Sequence, residues 1–182
     1  MVRPIEGNAE VNTPTGTFVV GLIADTHCKL PDGSDLPDAA LTALGDCDLI
    51  VHLGDLTSLG VLDRLAATGA EVIGIRNPKL DRPAGIDSRL LDGPVYREVR
   101  GRRLTLVREH PSPGVDGDVI AYGVPPGGGG HDYRVALEGT TLVVTPGSPN
   151  LPVRHGTVAR LVFGDNVDVE IVHLSESATA TH

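Results

Sequence analysis

Tryptophan is absent from this 182-residue chain, and the other large aromatics are scarce, with three Tyr and two Phe, beside a single Met. No aromatic platform is therefore available to stack a nucleotide base. Cys28 and Cys47 are the only two cysteines, and they form no Cys-x-x-Cys spacing, which argues against a disulfide scaffold and against a structural zinc site. Both are expected to be small, semi-buried thiols. Positive charge is also short: 15 Lys and Arg stand against 24 Asp and Glu, a net charge of −9. That balance disfavours a broad nucleic-acid surface, which needs clustered cations. Long apolar runs are missing as well. Phe18 to Ala24 falls far short of the ~20 residues that span a bilayer, and no signal-peptide pattern accompanies it. A cytoplasmic protein with no membrane partner is the expectation.

What the chain does have is 40% apolar residues, enough for one hydrophobic core, expected over residues 17–173 with loose tails at 1–16 and 174–182. Thr17 to Ile23 and Leu49 to Leu53 are near-continuous apolar runs, the pattern of strands covered on both faces. A short helix is expected over residues 37–44, opened by Pro37 and stopped by Gly45, and a second over about 58–68, stopped by Gly69. A third strand follows at 71–75. This alternation implies a parallel sheet with right-handed crossovers. The second half reads as three hairpins: 95–99 with 103–107, 133–137 with 141–145, and 158–163 with 167–173. The expected fold is α/β (α+β), a four-layer α/β/β/α sandwich of two mixed sheets.

The first two strands end abruptly in ligand-type residues. Gly21-Leu22-Ile23-Ala24 runs into Asp25-Thr26-His27, and Leu49-Ile50-Val51-His52-Leu53 runs into Gly54-Asp55. Open α/β sheets place their sites just beyond the carboxyl ends of strands, so Asp25, His27 and Asp55 are aimed at one crevice. His52, inside its strand, reads as a packed histidine. His131, His155 and His173 carry no spacing argument, and Gly127 to Gly130 lack the Lys-Ser/Thr of a phosphate-binding loop.

Asp25-x-His27, Gly54-Asp55, Asn77 after a strand, and Pro146-Gly147-Ser148-Pro149 occur in an order and spacing that resemble the calcineurin-like metallophosphoesterases. The resemblance covers roughly residues 17 to 173 and is to the small bacterial phosphodiesterase branch that also contains the retromer subunit Vps29. It implies two divalent ions that clamp a phosphate ester for in-line attack. By position, Asp25 and His27 would hold the first ion, Asp55 would bridge both, and Asn77 would hold the second. Mn, Fe or Zn would suit this mixture of carboxylate, imidazole and amide donors.

The same resemblance exposes gaps. Arg108 stands where the family has one histidine, and Val124 and Pro126 stand at the two ligand positions of its Gly-His-Thr-His segment. Arg76 replaces the glycine before Asn77, and no histidine follows it. The stretch 108–117 is short and rich in Pro and Gly, so the helix of a usual crossover is expected to be lost there. His110 is either an exposed loop histidine or a displaced ligand, and joins Asp55 and Asn77 as a candidate catalytic residue. Two buried carboxylates repel without a cation between them, so a guanidinium from Arg108 or Arg76 is expected to substitute for one or both ions. The implied function is metal-dependent hydrolysis of a small phosphoester with one divalent ion rather than two. The alternative is an inactive, even metal-free, module that binds or scaffolds a protein partner.

Overall fold

The computed structural model describes residues 4–6, 16–83, 85–124, 131–150 and 156–174. Two sheets face each other. The first has seven strands in the order β1 (Pro4–Glu6), β12 (Val167–Leu174), β11 (Gly156–Phe163), β2 (Phe18–Ile23), β3 (Leu49–His52), β4 (Glu71–Ile75) and β5 (Leu90–Leu91). The second has five, in the order β6 (Val95–Val99), β7 (Arg102–Glu109), β8 (Val119–Val124), β10 (Thr141–Thr145) and β9 (Arg134–Glu138). The run from β2 to β5 is parallel, and the three expected hairpins are antiparallel pairs. Both sheets are therefore mixed.

The apolar runs of β2 and β3 follow from burial on both faces. Val20, Leu22 and Val51 point between the sheets, where they meet Leu104, Leu106, Ala121 and Val144. Val19, Ile23 and Ile50 point the other way, against Ala40 and Leu44 of α1 (Asp38–Leu44) and Val61, Leu62 and Leu65 of α2 (Gly60–Ala66). Each fully buried aliphatic side chain contributes about 1.5–3 kcal/mol, so the central strands are the most strongly anchored part of the chain. Helix α2 begins later than its sequence pattern suggests. Ser58 donates its hydroxyl to the Pro31 carbonyl at 2.8 Å instead of capping the helix.

No helix among the described residues covers the outer face of the second sheet. The loop 110–118 lies there, with Val115 packed on Val107, Ile120, Tyr122 and Val143, so the expected loss of the crossover helix is observed and the outermost layer is a loop. Within the segment expected to be a loose leader, Pro4–Glu6 pairs parallel to β12. No helix among the described residues is long and apolar enough to cross a membrane. Cys28 and Cys47 are buried and free, and burial pushes both thiols up to about 12.

The second sheet comes close against the end of β3 at Gly123. A Cβ there would stand 2.2 Å from the Leu53 carbonyl oxygen and 3.2 Å from that of Arg108. Only glycine lets β8 pass under the end of β3, which sets the height of the Gly54-Asp55 loop above the second sheet. Replacing Gly123 with Ala should cost about 2 kcal/mol and lower the melting temperature by roughly 4–8 °C. An unchanged calorimetric Tm would show that the sheets are free to part there.

Candidate metal centre

The site is made where β2 and β3 end. Their loops are laced together by backbone hydrogen bonds: Leu53 N–H donates to the Ile23 carbonyl at 2.8 Å, Asp25 N–H to Gly54 at 3.0 Å, and His27 N–H to Asp55 at 2.9 Å. The lacing holds Asp25, His27, Asp55 and Thr57 at φ values of 52°, 44°, 60° and 61°. Such left-handed conformations in non-glycine residues cost of order 1–3 kcal/mol each and cluster at functional sites.

The consequence is a tight group of donors. One ligand atom from each of Asp25, His27 and Asp55 lies within 4.8 Å of the others. Asp25 is 1% exposed and Asp55 7%. The Asp25 Oδ1 atom is buried without a hydrogen-bond partner, an arrangement that is costly unless something positive lies against it. His27 Nε2 stands 3.6 Å from Asp55 Oδ2. Two carboxylates, one of them with an orphaned oxygen, and an imidazole could together hold a divalent ion.

Asp55 has two differently dressed oxygens. Its Oδ2 faces His27, whereas its Oδ1 accepts a short hydrogen bond from Asn77 Nδ2 and has Arg108 Nε at 3.6 Å. Asn77 is 2% exposed, and its amide oxygen accepts the Lys79 N–H at 3.0 Å, which turns the NH2 toward Asp55. Asp81 fixes this loop, accepting from Asn77 N–H at 2.7 Å and from Thr57 N–H at 3.0 Å. The position of Asn77 is therefore built, but it presents a donor to Asp55.

The cationic candidates separate. Arg108 reaches the crevice, and its buried Nε lacks a hydrogen-bond partner. Among the described residues Arg76 turns to Asp92 rather than to the carboxylates. Its Nε and a terminal nitrogen both engage Asp92, at 2.8 and 2.7 Å. His110 pairs with Glu138 at 3.2 Å and stacks edge-on against Tyr122. Arg76, Arg108 and His110 nonetheless line one cleft of about 300 Å³ with Asp92 and Val107. Val124 ends β8, while Pro126, Gly127 to Gly130 and His155 lie outside the described residues.

His52 is the packed histidine its strand predicts. Its Nδ1 accepts from Gly54 N–H at 3.3 Å, so Nε2 carries the proton and donates to Thr26 Oγ1 at 2.9 Å. Burial pulls its pKa down to about 3. His52 thus braces both loops from behind as a neutral ring. Two participants escape the sequence reading. His131 places Nδ1 3.3 Å from Asp25 Oδ2, and Ser148 donates its hydroxyl to the Asp25 carbonyl at 2.9 Å. The Pro-Gly-Ser-Pro motif was the available signal for Ser148; His131, beyond a run of glycines, has none.

Against known proteins, residues 18–166 match the model of the calcineurin-like phosphoesterase superfamily domain, and the chain belongs to that family. It is 30% identical over 168 residues to a protein of Methanothermobacter thermautotrophicus named as a probable metallophosphoesterase, covering 85% of this chain and 92% of the relative. An archaeal phosphodiesterase structure shares the fold with a TM-score of 0.66 at 19% identity, over 86% of this chain and all of that one. The zinc complex of Vps29 from Entamoeba histolytica does so with a TM-score of 0.56 at 18% identity, over 87% of this chain and all of that one.

Burial raises the Asp25 pKa from 3.8 to about 6, opposed by the His131 contact and reinforced by the Asp55 charge. In metal-free protein the folded state therefore holds this proton more tightly than the unfolded state. The associated stability is full below pH ~4 and is lost as pH rises through 6. With chelator present, Asp25→Asn should leave stability similar at pH 4 and exceed the wild type by on the order of 2 kcal/mol at pH 8. Urea midpoints that track each other across this range would refute the assignment.

Proposed function

We infer that this chain hydrolyses a small phosphoester with one divalent ion held by Asp25, His27 and Asp55, and with Arg108 in place of a second cation. The grouping of three donor side chains around the unpartnered Asp25 oxygen carries this reading. When bound, the ion supplies Lewis-acid polarisation of a phosphoryl oxygen. Arg108, its Nη1 paired with Glu109 and its buried Nε turned to Asp55, offers a permanently charged guanidinium beside the ion-holding group, where it would offset negative charge developing on the phosphoryl group. Asn77, fixed by Lys79 and Asp81, holds Asp55 Oδ1 in place and so keeps its other oxygen toward His27. Arg76 and His110, in the cleft next to Arg108, are assigned to the part of the ester farther from the ion.

A bis-aryl phosphate assayed with manganese tests the proposal. Turnover should require the metal, and Arg108→Ala should lower kcat on the order of 100-fold while leaving manganese affinity at the three-residue group nearly unchanged. Metal uptake without any hydrolysis would favour the binding-module alternative.

A further inference from the structure

We propose that Arg160 is a positioning residue for the metal site: buried on the helix-covered face of the first sheet, it sets the register of β11 against β2 and so places Ser148 beneath Asp25. This rests on the reading of Asp25, His27 and Asp55 as a metal site. β2 and β11 come from opposite ends of the chain, so no hairpin turn fixes how they align. On the face toward the helices Val19 pairs with Val162 and Gly21 with Arg160, and on the face between the sheets Val20 pairs with Leu161 and Leu22 with Ala159. A slip of one residue would turn every inward side chain outward, which the two apolar faces forbid. A slip of two residues keeps the same kinds of side chain on each face, so apolar burial discriminates against it only weakly.

Arg160 and Gly21 break that degeneracy. Arg160 stands between Val158 and Val162, and Gly21 between Val19 and Ile23, all of them buried. Slipped by two, Arg160 would face Val19 or Ile23 and lose its partners. Those partners are specific, and the side chain is only 3% exposed. Its terminal nitrogens fork onto both Asp46 oxygens at 2.5 and 3.0 Å, one of them also donates to the Ala43 carbonyl at 3.0 Å, and Nε stands 3.1 Å from Glu170 Oε2. Gly21 makes the room. A Cβ there would stand 2.8 Å from Leu44 Cδ2 and 3.0 Å from Cys47 Sγ, so the end of α1 and the turn after it close over this rung and bring Ala43 and Asp46 to the guanidinium. A buried ion pair is a weak stabiliser, but an alignment that strands its charge is strongly penalised, and fixing register is the best-attested use of such a group.

The register carries through to the metal site. Thr157, near the start of β11, donates its N–H to the Ser148 carbonyl at 3.0 Å and its hydroxyl to the Pro146 carbonyl at 2.7 Å. Ser148 in turn donates its hydroxyl to the Asp25 carbonyl and its N–H to the His131 carbonyl, both at 2.9 Å. Asp25 lies just past the end of β2, so a two-residue slip, about 7 Å, would carry Ser148 away from it.

Arg160→Met alone would strand the Glu170 carboxylate, so the informative variant is Arg160→Met/Glu170→Leu, in which the half-exposed Asp46 can turn to water. It should melt no lower than wild-type protein yet show two sets of β11 amide resonances, with cross-strand contacts from residue 160 both to Gly21 and to Val19 or Ile23. Zinc affinity by equilibrium dialysis should fall roughly 2- to 10-fold, following the fraction left in register. Arg160→Lys, which keeps a cation on this rung, should show one set of resonances and wild-type affinity. A single set with the Gly21 pairing intact in the double variant, two registers with unchanged zinc affinity, or a second set in the lysine variant would each overturn the proposal and leave the metal site standing. No zinc uptake by wild-type protein would instead remove the metal site itself, and the positioning role with it.

Discussion

The lacing of the β2 and β3 loops is the constraint on which the rest depends. Three backbone hydrogen bonds across Ile23–His27 and Leu53–Asp55 hold residues in left-handed conformations and force two carboxylates together. Neither arrangement is favourable alone. The strands behind them are held by apolar packing on both faces, with β2 and β3 almost wholly buried, and this packing offsets the strain and the repulsion. An ion that binds only the folded arrangement would add to stability by mass action. Binding and folding are thus coupled through the same few residues.

The second sheet supplies the rim on this floor. Gly123 sets the distance between the sheets, Arg108 comes from β7 toward Asp55, and His131 and Ser148 come from either side of β9 and β10 toward Asp25. The floor carries the Asp25-x-His27 and Gly54-Asp55 motifs, whereas the rim carries Arg108 and Val124. Fold and chemistry are separable in this way because a site is a local grafting onto a common scaffold.

Much of this was legible before any coordinates. Apolar continuity placed β2, β3 and β4 to within a residue or two, because double burial leaves a strong pattern, and their abrupt ends in Asp and His located the floor. The short Pro- and Gly-rich stretch after β7 signalled a missing helix. Helix α2 was read as too long because Ser58 spends its hydroxyl on Pro31, a tertiary contact that no local pattern reveals. Arg108 and Arg76 stood as alternatives at the carboxylates, because the sequence could not show that Asp92 faces Arg76. His131 was invisible for a different reason: its position is set by the Ser148 clamp, and the preceding glycines carry no periodicity from which to project it.

The most direct test of the account is anomalous scattering from crystals grown with manganese. One peak should appear about 2.0–2.3 Å from donor atoms of Asp25, His27 and Asp55, with the Arg108 guanidinium on the other side of Asp55. Two peaks bridged by Asp55, with the Asn77 amide turned to present its oxygen, would contradict it.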